Sequence, residues 1–318
     1  MSDLPKTIEI HEEGPREGFQ IEKGNISSAD KIALIDALSL TGVKRIQAAS
    51  FVNPKLVPSW ADAEIVVGGF TPAPKVAYSA LWFNEAGLKR ALTFRDKLTL
   101  KGSISLSASE AFSRQNLNRD RAGQIEAMRR QTSVHLAAGV PVIRIGIMAA
   151  FGCNFSGDIS PAQVIATVRD GLDIATAAVV TINELSLADT MGWATPARVE
   201  RLIGEVRSRW PELELSLHLH DTRGLGIANA LAALEAGVDR VDGTVGGLGG
   251  CPFAPGASGN LALEDLVHVL EESGVDTGID LEALIDVAHL ACGLAGRPVD
   301  SHLAKAGRRF IALAEVPR

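Results

Sequence analysis

The run Leu213-Glu214-Leu215-Ser216-Leu217-His218-Leu219-His220-Asp221 alternates apolar and polar residues and stops at Thr222-Arg223-Gly224, a turn composition. A period of two is the signature of a strand, so His218 and His220 share one face and Leu217 and Leu219 the other. Two imidazoles on one face at a strand's end make half of a metal site. The competing reading is one hydrogen-bonded core histidine beside an exposed one. The rest of the chain decides between them.

Working outward, the chain repeats one rhythm. Thr7-Ile8-Glu9-Ile10-His11-Glu12 alternates like a strand and is broken at Gly14-Pro15, which leaves Arg16 and Glu17 just past its C-terminal end. Ser28 reads as an N-cap with helical periodicity behind it up to Leu40, where Thr41-Gly42 closes the helix. Further strands are expected over 43–48, 75–81, 102–107, 141–147, 179–187, 213–219 and 239–242. Helices are expected between them, over 58–67, from Asn84 to Arg95, and over 119–138, 161–177, 196–210, 225–236 and 261–272. Ser160-Pro161 and Thr195-Pro196 each put a proline at a helix's first position. Strict alternation of strand and helix argues for a parallel sheet. Eight such units within roughly 270 residues fit a (β/α)8 TIM barrel better than an open doubly wound sheet. One catalytic domain over 1–318 is expected, with the barrel over about 7–275 and a C-terminal helical extension over about 276–318 that covers a barrel face or joins a subunit contact.

Bulk properties narrow the function. The 318 residues are 46% hydrophobic and 22% charged, enough for a large core and against disorder. A net charge of −7 without a long basic run argues against nucleic acid and against an anionic membrane surface. No apolar run reaches the ~18 residues a membrane span needs, and Met1-Ser2-Asp3-Leu4-Pro5-Lys6 has no apolar segment of signal-peptide type. Cys153, Cys251 and Cys292 lie far apart without a Cys-x-x-Cys pair, which suits a reducing compartment and a cytoplasmic protein.

In a barrel the chemistry sits at the C-terminal ends of the strands. Arg16, Glu17, Gln47, Asp189, His218 and His220 all fall there, and the loop after the last strand adds Cys251 and Asn260. This convergence favours metal at the two histidines. Mixed nitrogen and oxygen donors suit Mg²⁺, Mn²⁺, Co²⁺ or Zn²⁺. Such an ion polarises carbonyl and hydroxyl oxygens, and an arginine beside it can hold an enolate oxygen, which suits making or breaking a carbon–carbon bond next to a carbonyl. Blander roles stand beside each residue: a surface ion pair for Arg16, a helix cap for Asp189 or Asn260, a small buried thiol for Cys251. The setting of Cys251, Gly246-Gly247-Leu248-Gly249-Gly250-Cys251-Pro252, is too rich in glycine for packed core and suits a mobile lid.

Arg16-Glu17-Gly18-Phe19-Gln20, His218-Leu219-His220-Asp221-Thr222, the cysteine loop and Gly256-Ala257-Ser258-Gly259-Asn260-Leu261 resemble the 3-hydroxy-3-methylglutaryl-CoA lyase family of the DRE-TIM metallolyases. Ser50-Phe51-Val52-Asn53-Pro54-Lys55, Gly152-Cys153-Asn154 and Asp189-Thr190-Met191-Gly192 extend the likeness over nearly the whole chain. The resemblance implies a barrel that binds Mg²⁺ or Mn²⁺ and cleaves a 3-hydroxy-3-methylglutaryl-CoA-like thioester to acetyl-CoA and a 3-oxo acid. It implies Glu17, His218, His220 and Asn260 as ligands, Arg16 on the enolate, Cys251 as proton donor or acceptor, and Asp189 near the substrate hydroxyl. Glu264 matches a functionally sensitive glutamate, and Gln20, Lys23 and Asn116 are expected at the CoA arm. A homo-oligomer, dimer or larger, is expected. Two positions depart from the family: aspartate is usual where Glu17 stands, and glutamate where Gln47 stands. The second change takes a negative charge from the site, which would suit an anionic substrate group placed differently. The alternatives are a related lyase with another 3-hydroxyacyl-CoA substrate, a Claisen- or aldol-type condensing transferase, and a non-catalytic acyl-CoA-binding relative.

Overall fold

A computed structural model describes residues 4–22, 26–250 and 259–307. Its strands are β1 Glu9–Glu12, β2 Arg45–Ser50, β3 Ala77–Leu81, β4 Gly102–Ser107, β5 Val142–Met148, β6 Gly152–Cys153, β7 Gly157–Asp158, β8 Glu184–Asp189, β9 Glu214–Leu219 and β10 Arg240–Gly243. Eight form one parallel sheet in the order β3-β2-β1-β10-β9-β8-β5-β4. Sequence neighbours are spatial neighbours, and β10 pairs with β1 from Glu9↔Arg240 to Glu12↔Gly243, so the sheet curls around on itself. Across the remaining seam, between β3 and β4, Thr99 N–H donates to Tyr78 O at 2.7 Å. This is the expected (β/α)8 architecture. The antiparallel hairpin of β6 and β7 is an addition that periodicity did not predict, since each strand has only two residues.

Three local expectations are corrected. Ser27, not Ser28, caps the first long helix, Ser28–Leu38: its side chain accepts from Asp30 N, and the Asp30 carboxylate accepts from Ser27 N, a reciprocal capping box. β8 begins at Glu184, later than expected, because Val179 ends the preceding helix turn at φ +56 with its side chain in water. An unforeseen helix, Glu110–Leu117, precedes Arg121–Ala137, and Asn118 separates them in the left-handed conformation that asparagine tolerates.

The alternating strands have an unusual consequence. Parallel strands covered by helices on one side and barrel on the other normally read as continuous apolar runs. Here Ile10, Ile46, Leu185, Leu187, Leu215, Leu217, Leu219 and Val241 are buried, and the charged residues that alternate with several of them are ion-paired on the barrel's inner face. Glu9 lies 2.7 Å from His11 and 2.8 Å from Arg45, His11 lies 3.3 Å from Asp242, and Glu184 bridges Lys101 at 3.1 Å and Arg240 at 3.4 Å. A charge network with small serines and a glycine therefore lines the barrel's inner face in place of stacked branched side chains. The same alternation carries upward to Glu13, Gln47 and His218 at the mouth.

Two further carboxylates hold the loop after β10. Glu12 accepts from Val245 N at 3.0 Å, and Glu264 from Gly246 N at 3.0 and 3.1 Å. Gly246 itself has φ +64, and a Cβ there would meet Cys292 Sγ at 2.5 Å. The extension, helices Leu281–Leu294 and His302–Ala306, lies against this same barrel: Cys292 touches Gly246, and His302 N and Leu303 N donate to Asp265 at 2.9 and 2.7 Å.

Burial pushes the Glu264 carboxyl up to about 7, with Ser301 and the Gly246 amide opposing. A carboxyl raised in the folded state binds more protons there than in the unfolded chain, so its stabilising share is complete below pH ~4.5 and is lost as pH rises through ~7. The shift corresponds to ~3 kcal/mol. Melting curves of the wild type and Glu264→Gln should therefore diverge, the wild type losing a few degrees relative to the variant between about pH 5 and pH 8. Parallel curves would refute the assignment.

Candidate functional site

The chain leaves β1 through one widened helical turn, Gly14–Gly18, in which Phe19 N–H reaches back to Gly14 O. Trp60 Nε1 donates to Arg16 O at 3.1 Å and fixes this turn. Across the mouth, β9 ends at Leu219 and His220 follows. The loop after β10 returns beside it: Asp221 N donates to Gly259 O and Leu261 N to Leu219 O, each at 3.1 Å, which sets Asn260 opposite His220. Gly249, at φ +102, passes so close that a Cβ would lie 2.4 Å from Asn260 Nδ2. Glycine at that position is therefore required for the approach.

Glu17 is the centre of the arrangement. His218 Nε2 and His220 Nε2 stand 3.6 and 3.7 Å from Glu17 Oε1, beyond a good hydrogen bond, and Asn260 Nδ2 donates to the same oxygen at 3.1 Å. The two rings meet edge to face with centroids 5.1 Å apart. On the other carboxylate oxygen, Arg16 Nη2 stands at 2.9 Å. Burial alone would raise the Glu17 carboxyl, yet Arg16 and His218 hold it well below the usual range. Burial likewise opposes the charge on His218, but Glu17 carries it to about 9, while burial and the neighbouring His218 take His220 down to about 4. The two imidazoles are thus pushed in opposite directions although they share a face.

The four residues read as ligands are brought together, and they suit a divalent cation. Glu17, His218 and His220 offer donor atoms within 4.8 Å of one another. Asn260 has its amide nitrogen engaged by Glu17 and by Leu248 O, while its Oδ1 is buried without a partner among the described residues. A buried unpaired acceptor costs ~1–3 kcal/mol, which a cation at that oxygen would offset.

Arg16 is no surface ion pair. Its guanidinium is enclosed by Glu17, Glu13 at 2.8 Å, and Gln47, whose Oε1 accepts from Arg16 Nε. Gln47 Nε2 in turn donates to Glu13 Oε1 at 3.2 Å. Glu13 was missed in the sequence, although Glu9, His11 and Glu13 share one face of the first strand's continuation. A carboxylate therefore stands beside the neutral Gln47 at the mouth. Burial raises the Glu13 carboxyl, with Arg16 as the main opposing influence.

Other expected residues lie elsewhere. Asp189 pairs in register with Leu219, on the face opposite His218, and its oxygens accept from Trp193 N at 2.7 Å and Ala194 N at 3.0 Å. It holds the turn at Trp193 and Ala194 and not a helix N-terminus, since Thr195 is the N-cap of the next helix, and burial pushes its carboxyl up to about 6. Glu264 acts on the Gly246 backbone and not on the ligand cluster. Asn116 is exposed on helix Glu110–Leu117, and Gln20 Oε1 is buried without a partner among the described residues. Lys23 and Cys251 lie outside the described residues.

Residues 7–291 match the family model described as HMGL-like. The chain is 37% identical to the hydroxymethylglutaryl-CoA lyase of Bacillus subtilis, covering 93% of this chain and 96% of that one. It is 39% identical to a 3-hydroxy-3-isohexenylglutaryl-CoA/hydroxymethylglutaryl-CoA lyase of Pseudomonas aeruginosa, over 96% and 98%. A solved HMG-CoA lyase from Acinetobacter baumannii, in complex with coenzyme A and 3-methylmalate, superposes with a TM-score of 0.86 at 39% identity, covering 98% of each chain. The barrel, the histidine pair and these likenesses agree, and the chain belongs to the HMGL-like family of the DRE-TIM metallolyases.

Proposed function

We propose that the protein is a divalent-metal-dependent acyl-CoA lyase that cleaves a 3-hydroxy-3-methylglutaryl-CoA-like thioester to acetyl-CoA and a 3-oxo acid. One observation carries this reading: a buried Glu17 ringed by His218, His220, Asn260 and Arg16 at the mouth of a barrel. In the reaction the 3-hydroxyl loses its proton, the bond between C2 and C3 breaks, and its electron pair passes to the thioester as an enolate. The 3-carbon becomes a ketone, and a proton delivered to C2 completes acetyl-CoA.

Glu17, His218, His220 and Asn260 would hold the ion, Mg²⁺ or Mn²⁺ in our reading. It would supply Lewis-acid polarisation of the substrate oxygens. Arg16 presents the enolate-stabilising charge. Its Nε and Nη2 are engaged by Gln47, Glu13 and Glu17, which holds the guanidinium plane and leaves Nη1 without a partner among the described residues. A donor oriented before the negative charge develops needs no reorganisation when it does. Cys251 is proposed to protonate C2. Gln20, Lys23 and Asn116 remain proposals for the CoA arm, and Asp189 acts through the Trp193 turn. We also propose a cytoplasmic homo-oligomer, in keeping with the free thiols of Cys153 and Cys292.

Direct measurement of acyl-CoA consumption tests the reading. Purified protein with Mg²⁺ or Mn²⁺ should convert 3-hydroxy-3-methylglutaryl-CoA or a close 3-hydroxyacyl analogue to acetyl-CoA, and chelation should stop it. No conversion of any such thioester with any of the four ions would overturn it. His220→Ala should weaken Mn²⁺ binding by more than about 100-fold, above the loss an outer partner causes. Cys251→Ala should lower turnover with little loss of metal; unchanged turnover would remove the proton role.

A further inference from the structure

We propose that Glu13 and Gln47 are one matched positioning pair for Arg16, a proposal that rests on the lyase reading above. The three side chains close a ring of hydrogen bonds. Arg16 Nη2 donates to Glu13 Oε2 at 2.8 Å, Gln47 Nε2 donates to Glu13 Oε1 at 3.2 Å, and Arg16 Nε donates to Gln47 Oε1. The chemistry of the groups fixes the direction of each bond. A guanidinium only donates and a carboxylate only accepts, so the amide between them must turn its oxygen to Arg16 and its nitrogen to Glu13. All three are held at the mouth with little water: the Arg16 and Glu13 side chains are each 11% exposed.

The pair divides its work. Glu13 supplies the negative charge that keeps a buried guanidinium beside Glu17, and Gln47 transmits that orientation to Nε. The charge and the amide therefore depend on each other. Glu13→Gln alone leaves two amides in the ring. Whichever way the new amide turns, one of its NH₂ groups faces another donor, and the ring gains a positive charge. Gln47→Glu alone sets two carboxylates head to head where Nε2 and Oε1 now meet at 3.2 Å, with no proton between them. The double exchange removes both faults. The new carboxylate accepts from Arg16 Nε and from the new amide, whose oxygen accepts from Arg16 Nη2. Polarity and net charge are both restored.

A double-substitution cycle tests this. Each single variant should lower kcat by roughly 10- to 100-fold, the loss expected for one mispaired buried charged hydrogen bond. KM for the thioester should stay within about threefold, because the fault lies in a group that acts on the enolate and not on the ground state. Glu13→Gln combined with Gln47→Glu should return kcat to within about fivefold of the wild type, far above the product of the single losses. Losses that multiply, or a Glu13→Gln variant that keeps full kcat, would overturn the pairing. Melting temperatures of the same four proteins give a reading independent of turnover. The double variant should regain most of the stability each single loses, whereas additive losses count against the ring. If the wild type cleaves no thioester, the lyase reading fails on its own, and the melting cycle still decides the pair.

Discussion

A carboxylate buried at the mouth of the barrel cannot stay charged alone. Taking an ion out of water costs several kcal/mol even after relaxation, so Glu17 needs compensating partners on both oxygens. Arg16 supplies one side, and Asn260 with the two imidazoles the other. Each partner comes from a different part of the chain. The break at Gly14-Pro15 turns Arg16 and Glu17 inward, the alternation of β9 sets the histidines, and the returning loop sets Asn260. Removing one partner of a buried pair typically costs ~3–5 kcal/mol, against ~1 kcal/mol or less for a pair on the surface. The site thus helps hold the top of the barrel together, and the same carboxylate is the group a cation would bind.

The electrostatic field around Glu17 begins well below it. The interior face of the sheet carries Glu9, His11, Arg45, Glu184, Arg240 and Asp242, paired with one another through the barrel. Glu13 and Gln47 continue this network to Arg16. The two departures from the family pattern look different in that light. The extra methylene of Glu17 keeps a carboxylate among the imidazoles. The neutral Gln47 is one half of a contact whose charged half is Glu13. Arg16 is thus held at the mouth by a carboxylate and an amide, without an unpaired ion.

Most of the architecture was legible because period and punctuation agree. Ser160-Pro161 and Thr195-Pro196 mark helices that begin at Pro161 and Pro196, and the eight alternating segments all lie in the barrel sheet. The alternation itself could have been misread as strands with one face in water; only the repeated helices exclude that. What escaped has physical reasons. Val179-Val180-Thr181-Ile182 has strand composition, but its first residue serves the end of a helix. Glu110–Leu117 is short and polar. The cluster of Glu17, His218, His220 and Asn260 was readable because the glutamate and the histidines sit at strand ends and the asparagine on the loop that returns beside them. Glu13 was not, because a glutamate beside a turn looks like any solvated charge until its register with Glu9 and His11 is followed. Asp189 shows the reverse case: a carboxylate at the right strand end, one residue out of phase with the histidine face.

The central claim is that Glu17, His218, His220 and Asn260 form one cation site next to a clamped Arg16. Crystals of the protein grown with Mn²⁺ and measured at its absorption edge test this most directly. The account predicts one strong anomalous peak at the barrel mouth, with Glu17 oxygen, both Nε2 atoms and Asn260 Oδ1 at ~2.0–2.4 Å from it, and with Arg16 still held by Glu13 and Gln47. A peak elsewhere, or an ion that leaves either histidine or Asn260 Oδ1 unengaged, would contradict it.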